Sequence, residues 1–279
     1  MDKEADFEEG DSFAYSGRID SRSFFVLPFF FGLGLLAALL YQVLLDIHDW
    51  VLLNVFLPPV LGAVLGVIGV ALLRTGQLRN ARLAFALLLG LVLVSLGWAH
   101  LLALGVLDGG SAAVAAGFEE KLTKGDPIPG TDRFVPPGLL LVAWAFEALV
   151  VLWLGTGLAW AWWRRAVFSE GERRFLQAEP LIRRYTDHPK SIQTAFENGG
   201  LSALQEIELL TQPASAKQGE LRLRLYRSPE GLWLNAEWRG LLPGPRGRKT
   251  LRNVLLLRRI RVSEEFLARW LGEGYTAAR

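Results

Sequence analysis

Residues 139–163 read LLLVAWAFEALVVLWLGTGLAWAWW, an apolar run with one formal charge, Glu147, followed at once by Arg164 and Arg165. At a helical rise of about 1.5 Å per residue, roughly 20 apolar residues cross a hydrocarbon core about 30 Å thick. The run is long enough to span a bilayer. Three more stretches qualify, Phe24 to Leu45, Val51 to Leu73 and Leu83 to Leu107, and none of them holds a Lys, Arg, Asp or Glu. The fold class predicted is therefore a membrane all-α four-helix transmembrane bundle over residues 24–163. An acidic leader of residues 1–23 precedes it, and a small α+β cytoplasmic domain of residues 164–279 follows.

The composition of the whole chain agrees with a lipid solvent. Its 279 residues are 51% hydrophobic with a mean hydropathy of +0.28, above the about 45–50% apolar content of ordinary soluble domains. The absence of cysteine excludes disulfides, thiolate metal sites and cysteine nucleophiles, and three histidines are few for a histidine-rich metal centre. No metal and no cofactor are expected.

The first span is too long, and its leader too acidic, for a cleaved signal peptide, so it is expected to remain as an anchor. The Asp46-Ile47-His48-Asp49-Trp50 turn is short enough to make the first two spans an antiparallel hairpin. Orientation follows from Lys and Arg in short loops, which stay on the cytoplasmic side. The first loop has none, whereas Arg74, Arg79 and Arg82 occupy the second without an acid, and Arg164 and Arg165 follow the fourth span. Both termini are thus expected in the cytoplasm, with the 108–138 loop outside. That loop is mixed in charge: Lys121, Lys124 and Arg133 are accompanied by Asp108, Glu119, Glu120, Asp126 and Asp132. Trp160, Trp162 and Trp163 should lie at the cytoplasmic headgroups and Trp50 at the opposite surface.

Within the spans, Gly62, Gly66 and Gly69 on the second and Gly90 and Gly97 on the third recur at helical spacing. Such faces admit close helix packing, within one chain or between copies. Pro58-Pro59 is expected to kink the second span. Glu147 is the most informative residue, because an ionisable group in hydrocarbon is expensive unless it is paired or hydrated. It falls about 12 Å below the outer surface and His100 about 10 Å below it, so the antiparallel third and fourth spans could bring them together. Gln42 and Asn54 lie nearer that boundary. The cluster has two readings: a proton-carrying or proton-sensing pair, or a carboxyl hydrogen-bonded to a neighbouring helix that fixes packing without transport.

Charge is divided along the chain. The leader has seven acids (Asp2, Glu4, Asp6, Glu8, Glu9, Asp11, Asp20) against Lys3, Arg18 and Arg22, and its front is expected to be disordered. From Arg164 onward, 21 basic residues face 13 acidic ones, a net charge of +8. In this domain Ser169-Glu170-Gly171-Glu172 has the spacing of a capping box and predicts a short helix ending before Pro180. A second helix is expected near Ile192 to Glu197, stopped by Asn198-Gly199-Gly200, and Ala203 to Leu210 fits helix or strand. Leu221, Leu223 and Leu225 alternate with Arg222, Arg224 and Arg227 up to Ser228-Pro229-Glu230-Gly231, after which Leu232 to Trp238 alternates again, a β-hairpin pattern. A third strand, Leu251 to Val262, follows the Pro243-Gly244-Pro245 turn. Ser263-Glu264-Glu265 should cap a final helix through Leu271.

Arg246, Arg248, Lys249, Arg252, Arg258, Arg259 and Arg261 form a run without an acid. Such a face suits anionic lipid headgroups, a phosphorylated or nucleotide ligand, or an acidic partner, and it also arises simply as a solvated cytoplasmic strand. Nucleic acid is not expected, because Trp233 and Trp238 alternate with leucines in a way that equally suits sheet packing. The chain has no glycine-rich phosphate loop, no His-Glu-x-x-His, no Gly-x-Ser-x-Gly and no paired histidine and carboxylate at metal-ligand spacing, so no catalytic residues are assigned. Asp187-His188, before Pro189, reads as a turn.

At Tyr15-Ser16-Gly17-Arg18-Ile19-Asp20, Val55-Phe56-Leu57-Pro58-Pro59 and Gly76-Gln77-Leu78-Arg79-Asn80, over about the first third of its length, the chain resembles a loose group of uncharacterised bacterial multi-span inner-membrane proteins. The resemblance implies the bacterial inner membrane and no particular activity. The functions expected are a non-enzymatic membrane anchor or assembly subunit that presents its basic domain to a protein partner, or a small oligomeric transporter, channel or pore-forming effector using Glu147 and His100. A third is a membrane sensor of an anionic ligand.

Overall fold

The computed structural model describes residues 21–47, 51–127, 134–169, 172–179, 182–186, 189–213, 219–243 and 249–272. These residues fall into two compact units, one within Ser16–Arg164 and the other within Arg165–Arg279. The acidic front of the leader, His48 to Trp50, Asp187-His188, and Arg246 and Arg248 lie outside the described residues.

The helical unit comprises α1 (Arg22–Ile47), α2 (Val51–Thr75), α3 (Ala81–Ala103), α4 (Val106–Lys124), the two-residue strands β1 (Asp126–Pro127) and β2 (Phe134–Val135), and α5 (Pro137–Arg165). Helices α1, α2, α3 and α5 are long and apolar enough to cross a membrane. They are apolar all round, a pattern of helices with no water on any side, and each turns only a narrow stripe inward. In α1 the stripe is Phe30, Gly34, Ala38 and Tyr41; in α5 it is Val151, Gly155, Ala159 and Trp163. The core they form includes Ala38, Leu61, Leu65, Val92, Ala99 and Val151.

Two local expectations change. The third span ends at Ala103 rather than Leu107, because Leu104 and Gly105, the latter at φ 78°, end the helix there. The 108–138 segment read as a loop contains α4, whose Ala- and Glu-rich sequence favours helix; α4 breaks only at Gly109 and Gly110 and buries none of its residues. Pro58 and Pro59 lie inside α2, which continues as helix through both.

The α+β unit begins with a small hairpin, β3 (Phe168–Ser169) against β4 (Arg174–Phe175). The helix predicted from the capping box is not formed. Ser169 Oγ does accept the Glu172 N–H at 3.1 Å, as a cap would, but the bond closes a turn between strands, with Arg173 at φ 49° reversing the chain. Next come β5 (Ile182–Thr186), which the sequence reading did not anticipate, and α6 (Pro189–Leu204). Gly200, at φ 62°, breaks α6 at the expected glycine pair, but the helix resumes to Leu204. Strands β6 (Gly219–Ser228), β7 (Gly231–Pro243) and β8 (Lys249–Val262) complete an antiparallel sheet in the order β5-β6-β7-β8, and α7 (Glu264–Leu271) closes the unit. Ser263 Oγ caps α7 by accepting the Phe266 N–H at 3.0 Å. One sheet face, with Leu221, Leu223, Leu225, Leu234 and Trp238, forms a core with Ile192 and Leu204 of α6 and Phe266, Leu267 and Trp270 of α7.

Candidate functional site

In the helical unit Glu147, the acid in the middle of α5, is held by a residue the sequence reading passed over. Tyr41 of α1 donates its hydroxyl hydrogen to Glu147 Oε1 of α5 at 2.6 Å, and Tyr41 is only 5% exposed. His100 instead lies against the ring of Trp144, 5.6 Å between centroids and one turn before Glu147 on α5. Gln42 bonds Asp46 of its own helix at 2.8 Å. Of the expected four-residue cluster, Glu147 bonds across to α1, His100 lies tilted against Trp144, Gln42 bonds within its helix, and the Asn54 side chain lies outside the described residues.

The glycines divide by helix. A Cβ on Gly62 would stand 2.9 Å from Leu154 and 3.1 Å from the backbone of Val151, and one on Gly66 would stand 3.0 Å from Leu158, so α2 approaches α5 at backbone distance. Gly69 faces Leu88 and Ala159 as closely. Gly90 has only ordinary contact with Phe31, and nothing lies within 4 Å of Gly97. Gly34 and Gly155, which the sequence reading did not single out, are seated against Leu91 and Val92 of α3.

The link between α2 and α3 is a second structured point. Ser23 donates to Gly76 O at 2.6 Å, Trp163 Nε1–H to Leu78 O at 2.8 Å, and Asn80 caps α3 by accepting the Leu83 N–H at 3.0 Å. These bonds tie the link to α1 and α5, and Arg79 within it is 8% exposed.

In the α+β unit, the sheet face away from α6 and α7 is also buried, and it is polar. Asn235 is 1% exposed: its Nδ2 donates to Arg165 O at 2.8 Å and its Oδ1 accepts the Arg259 N–H at 2.7 Å. Glu237, 8% exposed, pairs with Arg165 at 2.6 Å. Burial pushes the Tyr226 phenol, on the same face, above its ordinary range. Ser169 donates to Glu230 at 3.2 Å, tying the β3–β4 hairpin to the turn between β6 and β7. Hydrogen bonds from Arg227 to Glu179 and Glu264 hold its guanidinium more firmly charged.

This arrangement divides the basic run. Leu234 pairs with Ile260 and Ala236 with Leu257, so Arg258 and Arg259 together stand opposite Asn235, a β-bulge in which Arg259 adopts φ 54°. A second irregularity follows between Ala236 and Glu237. The two shifts defeat simple alternation: Arg259 is 2% exposed, and Arg261 donates to Glu230 O at 2.8 Å. Arg252 is exposed, Arg258 is half-buried, and the Lys249 side chain lies outside the described residues. Among the described residues of the run, the single cationic surface expected from the sequence is thus divided: Arg252 is exposed, joined by exposed Arg239 just outside the run, Arg258 and Arg261 are half-buried, and Arg259 is internal.

Among the described residues, no group of three or more His, Asp or Glu side chains is placed to hold a metal ion. No protein-family model, curated protein or solved structure matches the chain.

Proposed function

We propose that this chain is a non-enzymatic multi-span anchor or assembly subunit of the bacterial inner membrane, with both termini in the cytoplasm and its basic α+β domain offered to an acidic protein partner. The observation that carries this reading is the pairing, in one chain, of four helices apolar enough to cross a membrane with a separate α+β unit of net positive sequence. Exposed Arg74 in the last turn of α2, Arg82 in the first turn of α3 and Arg164 in the last turn of α5 support the orientation through the positive-inside rule. The bond from Tyr41 supports a packing role for Glu147, because it gives the carboxyl a partner on another helix and requires no conduction path.

The test is purification from native membranes in mild detergent at low and high salt, with mass spectrometry of the copurifying proteins. The anchor reading expects a stoichiometric partner that is lost at high salt and on charge reversal at Arg258. A homo-oligomer alone, with ion or solute flux in liposomes that Glu147→Gln abolishes, would replace it with the transporter reading.

A further inference from the structure

Among the described residues of the α+β unit, the exposed large hydrophobics are Leu241, at 45%, and Leu251, at 58%. These two are partners directly across the β7–β8 ladder. A lone exposed leucine means little, but a cross-strand pair makes one continuous patch.

The patch lies near the end of the described ladder. Among the described residues, β6 pairs with β7 only as far as Glu220 opposite Arg239. The β7–β8 pairing runs on through Gly240–Arg252, Leu241–Leu251, Leu242–Thr250 and Pro243–Lys249. An exposed apolar pair on this stretch calls for an outside surface. Charge indicates which. From Arg239 to Arg261 the chain has eight Lys and Arg and no Asp or Glu. Exposed Arg239 lies two positions before Leu241, on the same side of its strand, whereas exposed Arg252, next to Leu251, stands on the other face of the ribbon, so the two cations flank the leucine pair from both faces. A stable protein interface buries about 800 Å² on each side, far more than two leucines offer. A bilayer sets no such minimum: small apolar tips reach the acyl boundary while cations hold anionic phosphates.

We propose that this stretch of the β7–β8 ribbon is a membrane-docking tip, with Leu241 and Leu251 entering the interface of an anionic leaflet and Arg239 and Arg252 gripping its headgroup phosphates. The inference rests on the reading of α1, α2, α3 and α5 as membrane spans, which makes docking an event within one tethered molecule.

The chain has no native cysteine, so a single label reports one place. Full-length protein carrying Thr250→Cys, which leaves both leucines intact, is labelled with an environment-sensitive dye and reconstituted in nanodiscs of phosphatidylcholine alone or mixed with phosphatidylglycerol. In anionic discs the dye emission shifts to the blue, resists iodide and is quenched by acyl-chain nitroxide. Leu241→Ser with Leu251→Ser abolishes this at an unchanged melting temperature, and Arg252→Glu weakens docking by about fivefold or more. A dye open to iodide in both lipids overturns the proposal. So does a dye shielded equally in neutral discs and in micelles, since protein, either a second copy or the acidic leader, then covers the tip. A second label at Val67→Cys, 67% exposed on α2, is quenched by acyl nitroxide whatever the headgroup; failure there removes the spans themselves and is read separately from the tip.

Discussion

In the helical unit Phe25, Trp153 and Val67 are 84%, 75% and 67% exposed, whereas in the α+β unit Trp233, Trp238 and Phe266 are 1%, 3% and 3% exposed. Polar groups show the opposite tendency. Buried Ser95 of the helical unit turns back to a carbonyl of its own helix, Leu91 O at 2.8 Å, while the α+β unit buries Asn235, Glu237 and Arg259 in its interior. The difference teaches what holds each unit together. Water drives the sheet onto its helices, and that drive is strong enough to carry a polar second face. In the bilayer proposed for them, helices that keep apolar side chains on every side would gain little from burial, because lipid is as apolar as leucine, and would depend on close backbone approach and a few hydrogen bonds. Gly62, Gly66 and the Tyr41–Glu147 bond supply these.

The comparison can be broken most forcefully by one substitution made twice. Leu223 and Leu65 are both fully buried. Leu223→Ala should destabilise the α+β unit by about 3 kcal/mol, transfer and cavity together; Leu65→Ala in the proposed bilayer loses packing but little transfer energy and should fall below that. Melting of the full chain in nanodiscs, followed by hydrogen exchange in each unit, measures both, and equal losses would refute the contrast. Next in size is close approach. Gly62→Val puts side-chain atoms into Val151 and Leu154 and should lower helical stability by about 2 kcal/mol, while Gly97→Val, with open space around it, should leave the melt unchanged. If the two variants behave alike, glycine contact is not what holds α2 to α5. The smallest effect expected is that of Tyr41→Phe, about 1 kcal/mol for one bond between helices. Glu147→Gln keeps an oxygen to accept the Tyr41 hydrogen and should be nearly neutral. A Glu147→Gln variant that melts normally but loses a transport activity would give Glu147 a role that packing does not explain.

Much of this division can be read from residue order alone. The four apolar helices stand out because length and missing charge suffice, with no need to know which side faces which neighbour. The β6–β7 hairpin is legible because period-two alternation flanks a Pro-Glu-Gly turn, and α7 because Ser263 precedes Glu264 and Glu265. What escapes is what depends on a partner far along the chain. Tyr41 reads as one more aromatic residue until Glu147, 106 positions away, takes its hydrogen. Ser169 behaves as a cap locally, but the Phe168–Phe175 edge-to-face pair, 5.2 Å between centroids, belongs to a hairpin instead. The basic residues of β8 read as one surface because they form a run without an acid, and the bulge opposite Asn235 takes Arg259 out of that surface. The short strand β5 has two arginines in five residues, and it becomes a strand by pairing with β6.

That bulge also has a consequence for assembly. Strands β7 and β8 run 13 and 14 residues, and a ribbon of that length with many interchangeable leucines has near-equivalent alignments two residues apart. Sliding by two would keep every side chain on its own face, so alternation alone cannot forbid it. The surplus residue at Arg258–Arg259, with its amide received by Asn235, acts as an index mark: only one alignment brings the mark to its reader.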